Sequence, residues 1–127
     1  MTGLFLLLTT LGAAAQNSGT TGPLNWNYDT GTKALTITGT GDMPDFTIAN
    51  RPPWEKTTNP IEKIVIEAGV KSVGAYAFRN SAVLTSVTLP AGVKTIGEAA
   101  FNDCAALTSV TLPEGLTTIG KYAFSGC

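Results

Sequence analysis

Three short features of the 127-residue chain are spelled like chemistry. Asp29-Thr30-Gly31 is the tripeptide of aspartic proteases, whose mechanism needs two carboxylates sharing one proton. Gly39-Thr40-Gly41 has the opening of a glycine-rich phosphate loop, and Cys104 and Cys127 are two thiols that nucleophilic or metal chemistry could use. Each lacks the company its chemistry requires. Asp29 follows alternating polar residues and sits where a hairpin turn favours Asp and Gly. The Gly39 motif has no third glycine at the right spacing and no helix pattern after it. Histidine is absent from the chain, which removes the commonest general base and a common metal ligand. Two thiols 23 residues apart without a histidine are not a zinc pattern. These residues predict no enzyme, no cofactor and no metal site.

The cysteine spacing is informative for another reason. Residues 84–106, LTSVTLPAGVKTIGEAAFNDCAA, are followed by 107–127, LTSVTLPEGLTTIGKYAFSGC, at an offset of 23 residues. Residues 61–83, IEKIVIEAGVKSVGAYAFRNSAV, fit the same frame. A fixed period of this length is the sign of stacked coils. Aligned, the coils place Ile61, Leu84 and Leu107 in one column, Ile64, Val87 and Val110 in the next, then Ile66, Leu89 and Leu112. A strand of this spelling points those residues inward, so stacking predicts a short parallel sheet with an aliphatic inner face. Gly69, Gly92 and Gly115 suit a backbone turn after it. Gly74, Gly97 and Gly120 then open a short helical or 3-10 turn that carries Phe78, Phe101 and Phe124 into the core. Each buried aliphatic or Phe side chain contributes about 1.5–3 kcal/mol, and only when a neighbouring coil covers it. Cys104 and Cys127 fall in one column; this spacing favours a ladder of small buried side chains, with a bridge between adjacent coils as the alternative.

Ahead of the coils, residues 1–16 carry a short apolar run from Leu4 and the small residues Ala13, Ala14 and Ala15, which read as a signal peptide although no Lys or Arg precedes Lys33. Residues 17–60 divide into a polar, flexible leader at 17–22, a hairpin and a connector. Leu24, Trp26 and Tyr28 alternate with polar residues, as do Leu35 and Ile37, which predicts two half-buried strands joined near Thr30-Gly31. That hairpin would cap the first coil, and the proline-rich connector 42–60 would fold over it with Phe46 and Trp54 as apolar anchors.

The unit LTSVTLPxGxxTIGxxAFxxC resembles the bacterial BspA-type leucine-rich repeat, and GTGDMPDF with PPW resembles the segment that opens such proteins. The resemblance implies a right-handed solenoid on secreted or cell-surface proteins of host-associated microbes, with adhesion or protein recognition as the usual role. Composition agrees with that setting: charged residues make up 13% and threonine supplies 20 positions, more in keeping with a β-rich extracellular protein than with a cytosolic enzyme. A net charge of −1 gives no footprint for nucleic acid or an anionic membrane, and the apolar run is too short to span a bilayer. Function then falls on the outward strand residues: Glu62, Lys63 and Val65 in the first coil, Thr85, Ser86 and Thr88 in the second, Thr108, Ser109 and Thr111 in the third. The expected partners are proteins, including host extracellular or surface proteins; a structural spacer within a longer surface protein is the alternative. Because the third coil stops short of its period with the strand 107–112 at an open edge, the chain is also expected to be part of a longer array or to self-associate there.

Overall fold

A computed structural model describes residues 17–56 and 60–127. The signal-peptide reading of residues 1–16 lies outside the described residues. Leu24–Asp29 (β2) and Ala34–Gly39 (β3) form the expected antiparallel hairpin, with Trp26 opposite Ile37 and Tyr28 opposite Leu35. Its turn is set by Asp29, whose Oδ1 accepts the N–H groups of Gly31 at 2.7 Å and Thr32 at 3.2 Å. This is the local bonding that makes Asp a turn residue, so the protease-like tripeptide is a turn. Gly39 and Gly41 have φ of +112° and +129° and form the corner into Gly41–Asp42 (β4).

Residues 17–22 are not the flexible leader their polarity suggests. Ser18–Thr21 (β1) pairs antiparallel with β2, from Ser18 opposite Asn27 to Thr21 opposite Leu24. The pairing satisfies backbone groups that would otherwise lie at an open edge of the cap.

The coils stack as two parallel ladders. Lys63–Ile66 (β5) pairs with Ser86–Thr88 (β7), Val70–Val73 (β6) with Thr95–Ile96 (β8), and β8 with Thr118–Ile119 (β9). The cap joins both ladders. β3 lies parallel to β5 with Leu35 beside Ile64 and Ile37 beside Ile66, and β4 lies parallel to β6. A hairpin strand and its corner therefore act as a coil ahead of the first spelled repeat, giving sheet orders β1-β2-β3-β5-β7 and β4-β6-β8-β9.

Each repeat turn also differs from expectation. Among the described residues the one helix is the 3-10 segment Pro53–Lys56, and the Gly74, Gly97 and Gly120 segments are hydrogen-bonded turns. A helix spends its amides within itself; in the first two coils alternate turn amides bridge to the next coil. The N–H groups of Tyr76, Phe78 and Asn80 donate to the carbonyls of Glu98, Ala100 and Asn102 at 2.8–2.9 Å, and those of Ala99, Phe101 and Asp103 to Lys121, Ala123 and Ser125 at 2.7–2.9 Å. Left-handed φ at Tyr76 and Asn80, and again at Ala99 and Asp103, belongs to this arrangement. The strand 107–112 is likewise not formed: no ladder links it to β7.

The core follows the columns and loses cover toward the third coil. Ile66 is buried, Leu89 half-buried and Leu112 41% exposed; Val73 and Ile96 are buried and Ile119 is 48% exposed. Through the centre runs a stack of rings. Phe78, Phe101 and Phe124 lie 5.4 Å apart in succession, and Trp54 stacks on Phe78 at 5.3 Å. Trp26 and Phe46 meet Trp54 edge-on at 6.3 and 5.7 Å, and its indole N–H donates to the Ala77 carbonyl at 2.9 Å. The connector anchors are thus Phe46 and Trp54 as expected, with Trp54 serving as first rung of the phenylalanine ladder.

The glycine columns separate by cause. A Cβ on Gly97 would lie 2.5 Å from the Ala75 nitrogen, and one on Gly120 2.5 Å from the Glu98 nitrogen. Backbone approach between coils requires these glycines. Gly69 has a left-handed φ of +106°, whereas a Cβ on Gly92 would meet nothing closer than the Val70 oxygen at 3.8 Å. Gly97→Ala should therefore cost about 1–3 kcal/mol by overpacking, while Gly92→Ala should be neutral or stabilise by about 0.4–1 kcal/mol through the unfolded chain. Urea melts of the pair check this, and equal midpoints would contradict it. Trp54→Ala removes a buried ring and its donor, with an expected loss of about 3–5 kcal/mol in the same assay.

Candidate protein-binding face

The outward side of the five-stranded sheet is built from the residues that alternate with the core. In β5, Ile64 and Ile66 point inward, so Lys63 and Val65 face the other way; Ser86 and Thr88 do the same beside Val87. Register places Lys63 beside Ser86 and Val65 beside Thr88. The first two coils thus bring four of the expected residues into two rows. Glu62 and Thr85 lie at the margin of these rows, both exposed. The Thr85 hydroxyl donates to the Glu62 carbonyl at 3.2 Å and its amide donates there at 2.9 Å. Glu62 itself pairs with Lys33 at 3.4 Å, an exposed contact worth at most about 1 kcal/mol. Thr108, Ser109 and Thr111 are exposed but stand on a segment outside the ladder.

Sequence reasoning missed the other half of this surface. Because β3 pairs with β5, one row runs Ser18, Asn27, Thr36, Val65, Thr88, and the next runs Asp29, Ala34, Lys63, Ser86. Thr20, Asn25 and Thr38 form a further row on the cap. The alternation around Trp26 already marked Asn25 and Asn27 as outward. What it could not mark was the parallel pairing that carries the coil sheet into the cap, since residues 24–60 do not spell the repeat.

The two thiols share a geometry. Cys104 donates from Sγ to the Phe78 carbonyl and Cys127 to the Phe101 carbonyl, each at 3.3 Å. Both are free; Cys104 is buried and Cys127 exposed. The ladder reading therefore holds for Cys104, and no bridge joins the pair. Burial pushes the Cys104 thiol up to about 11 against a hydrogen bond from Ser81 that lowers it. Among the described residues no group of three or more His, Cys, Asp or Glu could hold a metal ion, and no helix is long and apolar enough to cross a membrane.

A family model described as the BspA type leucine-rich repeat region matches residues 55–127. The chain belongs to the BspA-type leucine-rich repeat family. It is similar over 90% of its length to a leucine-rich repeat protein from Eubacterium ventriosum, at 32% identity and a TM-score of 0.79, and it spans 30% of that protein's length. A Bacteroides ovatus leucine-rich repeat protein is 25% identical with a TM-score of 0.52, covering 83% of this chain and 32% of its own. One from Bacteroides capillosus shares the fold at 21% identity and a TM-score of 0.51, covering 82% of this chain and 88% of its own. No curated protein matches. Leucine-rich repeats of this family are in general protein-interaction modules, and this chain carries their fold with a four-stranded cap.

The thiol gives a measurable consequence. A folded pKa of about 11 against an ordinary thiol value of 9.0 favours the neutral form, so its contribution is whole below about pH 9 and is lost as pH rises through about 11. Burial raises Tyr28 as well, so both groups act in the same direction. The melting temperature should fall across that window, and Cys104→Ser should remove part of the fall. In a Cys127→Ser variant, which removes the exposed thiol, Cys104 should also resist maleimide at pH 8 until the protein is denatured; rapid native labelling of that variant would contradict its burial.

Proposed function

We propose that the chain is a protein-recognition or adhesion module of a secreted or cell-surface protein, a right-handed solenoid without catalysis that docks partners on the outward side of its five-stranded sheet. One observation carries the reading: one outward row runs without interruption from the cap strand β1 to the coil strand β7, and a second runs beside it from β2 to β7. They hold hydroxyl and amide side chains, with Val65 and Lys63 between them. The paired strands fix the backbone of such a surface and the side to which each residue points, so little backbone ordering entropy is spent on binding. Membership of a family of protein-interaction repeats supports the same reading, and the threonine-rich, charge-poor composition suits an extracellular setting.

Lys63, Val65, Ser86 and Thr88 are the centre of the proposed face, with Glu62 and Thr85 at its margin and Thr108, Ser109 and Thr111 extending it toward the third coil. Host extracellular proteins are the proposed partners. Immobilised protein exposed to a panel of them should retain at least one, and the double variant Val65→Lys/Thr88→Glu, whose opposite charges lie side by side in register, should weaken that binding at least about tenfold, or about 1.4 kcal/mol, while leaving the melting temperature within a few degrees. Binding that survives the double variant would move the partner off this face. A spacer of equal length that replaces the chain in its parent protein with no loss of binding would favour the structural role instead.

A second reading concerns self-association through the third coil. Leu112 and Ile119 are exposed there, and an apolar pocket of about 260 Å³ opens between Leu107, Val110 and Phe124. Light scattering should then show a dimer or larger species that Leu112→Lys returns to monomer; a monodisperse monomer of the unaltered chain would exclude it.

A further inference from the structure

We draw no further inference here: the strongest candidate, the side groove of about 290 Å³ between the 3-10 segment and the loop closing the first coil, lined by Trp54, Glu55, Pro60, Ile61, Ser81 and Val83, carries nothing because nothing in the structure shows what covers it.

Discussion

The spacing between coils is the constraint on which the rest depends. Parallel strands hydrogen-bond at about 4.7–4.9 Å, and a coil can meet that spacing all the way round only if its backbone touches its neighbour's. The column of Gly74, Gly97 and Gly120 permits this, since a Cβ at any of them would fall within 2.5 Å of a neighbouring backbone atom. Once the coils are that close, three things follow together. The strand amides reach the previous coil, the turn amides reach the next one, and the phenylalanines stack at 5.4 Å. The period of 23 residues is thus a statement about backbone contact as much as about aliphatic packing.

A stack built this way has an energetic problem at its start, where the first coil would present both an apolar end and unpaired strand edges to water. The cap answers with backbone and side chains at once. β3 and β4 supply the missing strands, and Asp45 stands in for a backbone acceptor by receiving the Ala75 amide at 2.9 Å. Trp54 takes the ring position a previous phenylalanine would occupy, and the edges of Trp26 and Phe46 close the ladder behind it. Edge-on rings end a stack well, because they offer no further parallel face to extend.

The same stacking separates the parts of the molecule that hold shape from the parts that can meet a partner. Inward residues are covered by the neighbouring coil, and in the first two coils alternate turn amides are taken up by coil-to-coil bonds. What remains regular is the outward side of the sheet, and there the sequence places Thr, which suits a strand, together with Ser and Asn, which are hydrated without driving collapse. The thiols show the contrast. Cys104 occupies a column position that is inward and covered, so its burial makes it a packing residue whose acid–base chemistry is suppressed.

The period, the inward columns, the hairpin and its turn were legible in the sequence, because each depends on local spelling: a repeat offset, an alternation of two, an Asp and a Gly where a turn needs them. Phe46 and Trp54 could be named as anchors on size alone. Tertiary structure decided the rest. Local patterns predict how a residue bonds within its own element; they do not specify which distant backbone it will meet. So Ser18–Thr21 became a strand because β2 lay beside it, and alternate amides of the Gly74 and Gly97 turns found their acceptors in the next coil. Residues 107–112 repeat the spelling of 84–89, yet form no strand and no ladder with β7. The extension of the outward face across Asn25, Asn27, Thr36 and Thr38 has the same origin: the parallel pairing of β3 with β5 joins segments more than twenty residues apart that share no motif.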